Sequence, residues 1–328
     1  MALRIIRKSA SQSQVELIRG KSEQAPAASL LIYIDSEAQL QAAKSLLAAQ
    51  WIQDDVECLL MKSSALDEPL RPHFNAQGQT IKLLNEPRDA SWSLRLRTLI
   101  QEASAECCLF LPHLPASVDL MEVLKTLASA LPTDPNLALL GPALVHDGQV
   151  LAAGQDLAVN FARHQLLTED SAYSLEFDQQ RLFYFYQGLP LALWQRLAGE
   201  RLLSAAGVPL NVAAIRRSAY LSLAWQDQDF ELPWLAQELS FALRQAQYTL
   251  AISGLTLNLS DSEAETLKSS VAPQNLMDTW QPLRKNTLYP LYLQHGLIPQ
   301  GQDFALPLQP KPKSDPVAAY IAERSSQA

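Results

Sequence analysis

Apolar residues fall along the chain in two rhythms. Runs of strand length, SLLIYID at 29–35, VECLLM at 56–61 and ECCLFL at 106–111, are continuous and read as strands buried on both faces. Between them lie polar stretches with apolar positions at helical spacing: first Leu40, Ala43, Leu47 and Trp51, then ASWSLRLRTLIQEASA at 90–105. Ser36, with Gln39 three residues on, makes a capping-box signature ahead of the first helix. Another helix is expected over 118–131, capped by Ser117 and stopped before Pro132. Strands alternating with amphipathic helices predict a parallel sheet covered by helices.

After residue 136 the rhythm changes. NLALLGPALVHDGQVLAAG contains a short strand and then two more around Asp147-Gly148, a dipeptide suited to a type I′ hairpin turn, so antiparallel strands join the sheet. The stretch 161–203 is aromatic and apolar without clean boundaries, and Pro190 interrupts any single helix through it. Residues 208–215 read as a strand that turns at Arg216-Arg217 into a short helix. Pro233 opens a helix to about residue 247, a strand follows over 248–259, and a helix is expected around 277–285. At the two ends, short runs at 4–7 and 15–19 suit a small hairpin, and the Pro-rich LPLQPKPKSDP leads into a short terminal helix.

Composition narrows the class. At 328 residues with 48% hydrophobic positions, the chain can bury a full core, and no apolar run approaches the about 18 residues of a membrane span. The first residues, MALRIIRKSASQSQ, lack a continuous apolar stretch, so no secretory signal is read there and the cytoplasm is the expected location. Cys58, Cys107 and Cys108 read as buried apolar filler. A net charge of -8 disfavours nucleic acid as a partner and argues against a polybasic lipid-binding surface, although the run LRIIRK leaves peripheral contact with an anionic membrane open. His73, His113, His146, His164 and His295 are too scattered for a metal set. No Gly-rich dinucleotide loop, phosphate loop or nucleophile elbow is present.

Several short pieces, taken in order, resemble a family-2 glycosyltransferase of the GT-A fold, the kind that builds bacterial surface polysaccharides. Gly141-Pro142, Asp147-Gly148 and Gly154 resemble one segment of that family. Ile215-Arg216-Arg217-Ser218-Ala219-Tyr220 resembles its acceptor-side segment, with Asp227 placed like the acid that follows it. The run Gln237 to Arg244 resembles its acidic helix, and Trp280, Leu288 to Tyr292 and Phe304 resemble its closing segment. The resemblance implies an α/β, GT-A-like fold over 29–310, a mostly parallel sheet covered by helices with antiparallel additions. Within it, 29–135 would be a donor-side half and 136–310 an acceptor-side half. An N-terminal extension, 1–28, and a C-terminal tail, 311–328, flank it.

The sequence departs from the family at four places that carry its chemistry. Lys62 stands where an Asp would accept hydrogen bonds from the donor's base. Pro112, His113 and Leu114 stand where Asp-x-Asp would hold a divalent cation against a diphosphate, a task for hard oxygen ligands. Ser240 replaces the second acid of the acidic helix, and Asn258 a histidine after the last strand.

Two readings follow from the resemblance. In the first, the protein is a non-catalytic or strongly altered family member that scaffolds an assembly, binds glycan or supports an active partner glycosyltransferase. In the second, it is a metal-independent transferase that takes a nucleotide sugar as substrate and a glycan as acceptor, with Glu238 as general base and Asp227 as a weaker candidate. Lys62, Arg97, Arg216 and Arg217 would then hold the donor's phosphates, from segments expected to approach the sheet's C-terminal edge. No metal and no cofactor is expected on either reading, and the location is the cytoplasm or the inner face of the membrane.

Overall fold

Residues 28–34 are buried at every position, which places this strand inside a sheet covered on both faces. The computed structural model describes residues 4–8, 14–20, 24–74, 78–87, 90–115, 117–166, 172–223, 230–270, 274–275 and 305–307. The first half runs β1 (Arg4–Lys8), β2 (Gln14–Ile18), β3 (Ala28–Ile34), α1 (Glu37–Leu47), α2 (Gln50–Asp55), β4 (Val56–Lys62), β5 (Ile81–Asn85), α3 (Trp92–Glu102), β6 (Cys107–Leu111) and α4 (Leu120–Ala130). The second continues β7 (Leu137–His146), β8 (Gln149–Ala152), β9 (Gln155–Leu166), β10 (Ala172–Tyr184), α5 (Leu191–Ala198), β11 (Leu202–Ser204), β12 (Ala213–Arg216), α6 (Arg217–Ser222), α7 (Leu232–Gln245), β13 (Thr249–Asn258), α8 (Asp261–Ser270), β14 (Gln274–Asn275) and β15 (Ala305–Pro307).

The chain forms two compact units, 1–157 with 182–272, and 158–181 with 273–328. The first holds an 11-stranded sheet in the order β1-β2-β5-β4-β3-β6-β12-β7-β13-β11, with β8 on β7. Strands β5, β4, β3 and β6 are parallel neighbours, and β7 is parallel to β13. β12 runs antiparallel to both β6 and β7, and β2 and β11 add antiparallel to β5 and β13. The expected α/β class, mostly parallel with antiparallel additions, is therefore observed. In the second unit, β10 pairs antiparallel with β14 and β15, and β9 pairs with β10.

Strand alternation divides the core of the first unit between the sheet's faces. Leu30, Ile32 and Ile34 pack with Leu40, Ala43 and Leu47 of α1, Val123, Leu124 and Leu127 of α4, and Ala264 and Leu267 of α8. Leu31 and Tyr33 pack on the opposite face with Leu96, Leu99 and Ile100 of α3, Trp194 of α5, and Leu235, Leu239 and Leu243 of α7. At the β7–β8 turn Asp147 and Gly148 both take positive φ, 49° and 70°, as the dipeptide predicts for a type I′ turn. The three cysteines are buried and unbridged, and burial pushes the Cys107 thiol up to about 12.

Several expectations are corrected. The strand expected over 208–215 is confined to Ala213–Arg216; before it, Val208 and Leu210 pack with Leu235, Leu239 and Leu243 of α7, and the Val208 N–H donates to Ser240 Oγ at 3.3 Å. The stretch 161–203 resolves into β9, β10, α5 and β11, with Pro190 as N-cap of α5. β5 and α8 were not predicted. The N-cap position of α4 is held by Asp119, whose side chain makes no capping bond, and not by Ser117, whose Oγ accepts from the Asp119 N–H at 3.3 Å. The helix expected around 277–285, the closing segment with Trp280, Leu288–Tyr292 and Phe304, and Asp227 lie outside the described residues. Among the described residues, no helix is long and apolar enough to cross a membrane.

At the sheet's N-terminal edge a buried ion pair fastens β3, β4, β5 and the turn before β6. Lys82 Nζ lies 3.0 Å from Glu57 Oε2, with the two side chains 8% and 4% exposed. Ser29 Oγ and the Ser104 N–H donate to Glu57 Oε1, and Ser104 Oγ donates to Oε2 at 2.9 Å. Burial pushes the Glu57 carboxyl up, but the Lys82 charge, the Ser29 hydroxyl and the Ser104 N–H together outweigh it, so the group sits below the usual carboxylate range. The stability it contributes is complete above its unfolded pKa of about 4.3 and is lost as pH falls through the lower folded value. Glu57→Gln, which leaves Lys82 buried without its counter-charge, should cost about 3 kcal/mol at pH 7 by urea unfolding. The variant's stability should also fall less steeply than the wild type's below about pH 4.3.

Candidate functional site

Parallel strands of an open α/β sheet release their loops at one edge, and ligands bind there. In this protein that edge is formed by the ends of β3, β4, β5, β6, β7 and β13, where Ile34 pairs with Lys62, Lys62 with Asn85, and Asn258 with Val145.

Glu86 follows β5, and its N–H donates to the Lys62 carbonyl at 2.9 Å. Its carboxylate, only 4% exposed, collects partners from three other segments. Tyr33 Oη of β3 donates to Oε1 at 3.0 Å, and Arg95 Nε of α3 donates to the same oxygen. After β4, the Ser64 N–H and hydroxyl donate to Oε2 at 2.8 and 3.0 Å. The Arg95 guanidinium also lies 4.7 Å from the ring centroids of both Tyr33 and Trp92, two rings that meet edge to face with centroids 5.2 Å apart, so it makes a cation–π contact with each. Burial pushes Glu86 up, yet the Ser64 N–H, Arg95 and Tyr33 bonds hold it below the usual carboxylate range. The phenol of Tyr33 is pushed up, mainly by burial.

Lys62 ends β4 as expected, but its ammonium turns onto its own loop, donating to the carbonyls of Leu66 and, at 3.3 Å, Glu68. The β6 exit is held in a comparable way. Gln39 does not close the predicted capping box, although Ser36 Oγ accepts from its N–H at 3.4 Å. Its carboxamide instead reaches the β6 exit: Oε1 accepts from the Leu114 N–H at 2.7 Å and Nε2 donates to the Leu114 carbonyl at 3.4 Å. His113 sits beside Trp92, with ring centroids 5.7 Å apart, and its Nδ1 is 3.6 Å from Asp35 Oδ2. Asn258 Nδ2 donates to Asp119 Oδ2 at 2.9 Å.

Between the β6 exit and α8 lies an open cleft of about 290 Å³, lined by Gln39, Pro112, His113, Pro115, Asn211, Val212, Leu257, Leu259, Ser262, Glu263 and Thr266. No Lys or Arg lines it, and Glu263 accepts from the Ser260 N–H at 2.7 Å in capping α8. Among the described residues, no group of three or more His, Cys, Asp or Glu side chains is placed to hold a metal ion.

The other sequence candidates do not meet at this edge. Because β12 is antiparallel, Arg216 pairs with Cys107 at the start of β6, so the Arg216-Arg217 pair lies at the opposite, N-terminal edge, which corrects its expected place. Arg216 donates to the carbonyls of Leu137, Leu131 and Asp134 at 2.8, 2.6 and 2.7 Å. Arg217 donates to the Ile100 carbonyl at 3.2 Å, in the last turn of α3. Arg97 is half-buried in the middle of α3. Glu238 is buried in α7, between Gln237, which accepts from Gln155 Nε2 at 3.2 Å, and Ser240. Sequence reading missed Glu86, Tyr33 and Gln39. The one local signal was Asn85-Glu86-Pro87 after the apolar IKLL, a strand exit with a carboxylate in it.

No family model matches this sequence, and no curated protein matches it. Among solved structures, the chain is similar to the mannosyltransferase PcManGT from Pyrobaculum calidifontis, in complex with GDP-Man and Mn2+. The similarity covers 93% of this chain and 81% of that one, at 12% sequence identity and a TM-score of 0.43.

The Gln39 clamp makes a local prediction. Gln39→Ala should lower protection of the Leu114 amide from hydrogen exchange about tenfold while costing about 1 kcal/mol of global stability. Unchanged exchange at Leu114 would show that the carboxamide does not hold the β6 exit.

Proposed function

We propose that this is a glycosyltransferase-like protein, with its GT-A-like domain over 29–310, that takes part in bacterial surface polysaccharide or other glycan assembly without catalysing transfer. Its role on this reading is to bind a glycan or to support an active partner transferase, in the cytoplasm or at the inner face of the membrane.

The observation that carries the reading is that the strand ends that would grip a donor are bonded to one another. A cation bridging a diphosphate needs oxygen ligands with lone pairs to spare. The carboxylates at this edge have other employment: Glu86 serves Tyr33, Ser64 and Arg95, Asp119 serves Asn258, and Asp35 faces His113. A metal-independent transferase would need cations in place of the metal. Lys62 spends its ammonium on loop carbonyls, and Arg216 and Arg217 cap backbone at the far edge. A general base must reach the acceptor hydroxyl, and Glu238 is 3% exposed.

Titration calorimetry with UDP, GDP and their sugars, with and without Mn2+, tests this. No Mn2+-dependent heat is expected at about millimolar nucleotide. Donor binding that a chelator abolishes would overturn the proposal. Metal-free donor binding that Lys62→Ala or Arg97→Ala removes would replace it with the metal-independent transferase.

A further inference from the structure

The cleft between the β6 exit and α8, at about 290 Å³, is at the small end of ligand pockets and open to solvent. Its apolar part is made by Pro112, Pro115, Val212 and Leu257, each buried in its own segment. Much of its polar part is already bonded within the chain. Both ends of the Gln39 carboxamide hold Leu114, and Glu263 Oε2 accepts from the Ser260 N–H and hydroxyl.

Three groups of the lining keep capacity for an outside partner. The Asn211 carboxamide, His113 Nε2 and Glu263 Oε1 make no hydrogen bond with the described residues. They come from three segments that meet at the cleft: Asn211 from the turn before β12, His113 from the β6 exit and Glu263 from the first turn of α8.

Their chemistry narrows the ligand. An amide both donates and accepts, a carboxylate oxygen only accepts, and an imidazole nitrogen does one or the other according to its tautomer. Such a set suits hydroxyls, which also do both, and the apolar residues beside it suit a carbon face. A sugar ring carries the two together. Charge narrows the class again: no Lys or Arg lines the cleft and Glu263 does, so an acidic or phosphorylated sugar would bring a like charge and meet no counter-charge.

We infer that this cleft binds an uncharged sugar unit of a glycan and rejects acidic ones. The inference rests on the glycan-binding role proposed above and gives it a place and a ligand class. Asn211, His113 and Glu263 hold the sugar's hydroxyls, Pro112, Pro115, Val212 and Leu257 take its C–H face, and the opening to solvent lets the rest of the glycan run on.

The test is saturation-transfer NMR of the full chain with neutral trisaccharides of glucose, mannose, galactose and N-acetylglucosamine, and with trigalacturonic acid, each at about millimolar concentration. Transfer is expected to at least one neutral trisaccharide and not to trigalacturonic acid. The neutral sugar's affinity should fall about tenfold in Asn211→Ala and be lost in Ser262→Trp, whose indole would fill the cleft. The Asn211 side chain bonds to nothing else described and Ser262 is exposed, so unchanged melting curves will show that both variants fold. Glu263→Gln, which can still cap α8, should admit trigalacturonic acid, a switch that a merely structural role would not produce. No transfer to any neutral sugar, equal transfer to the acidic one, or unchanged affinity in both cleft variants would overturn the inference. Its failure is distinct from that of the reading it rests on: a silent panel beside a silent nucleotide titration leaves the role of supporting a partner transferase, whereas Mn2+-dependent donor binding removes the reading itself.

Discussion

One carboxylate organises the edge of this sheet where function is expected. Glu86 gathers the phenol of Tyr33, the Ser64 amide and hydroxyl and the Arg95 guanidinium, so that β3, the loop after β4, the end of β5 and the first turns of α3 converge on it. A charge so nearly buried is tolerable only when its oxygens are satisfied and a counter-charge is close. Arg95 supplies that charge and itself packs against the paired rings of Tyr33 and Trp92. Removing either partner strands the other, so the cluster is maintained as a unit.

The same economy governs the other polar side chains that the sequence made candidates for chemistry. Lys62 closes its own loop, Gln39 clamps Leu114, and Arg216 and Arg217 satisfy carbonyls that helix ends leave open. In each case a group able to bind an external anion or cation is used to hold backbone. The cleft beside α8 is left with prolines, leucines, amides and hydroxyls, and with Glu263 as its charged wall beside the half-exposed His113. Such a lining suits a neutral polar ligand better than a diphosphate.

The fold was legible where burial imposes a period. Continuous apolar runs marked β3, β4 and β6, helical spacing marked α1 and α3, and Asp147-Gly148 marked the hairpin turn. β5 escaped because Lys82 interrupts its apolar run, and only the fold reveals that Glu57 neutralises that lysine. The direction of β12 was also invisible, since an isolated strand reads the same parallel or antiparallel, and this alone moved Arg216 and Arg217 to the far edge. The site was less legible still. The absence of an acidic metal motif at Pro112, His113 and Leu114 could be read directly, but Gln39 meets Leu114 across 75 residues, a contact that no local pattern encodes.

The account rests on Glu86 and Arg95 being bound to each other strongly enough to close this edge. A double-mutant cycle on unfolding free energy, with Glu86→Gln, Arg95→Met and the double variant, measures that coupling directly. A coupling of about 2 kcal/mol, as for a charge-assisted bond shielded from water, is the predicted result. A coupling near zero, as for an ordinary surface pair, would contradict it.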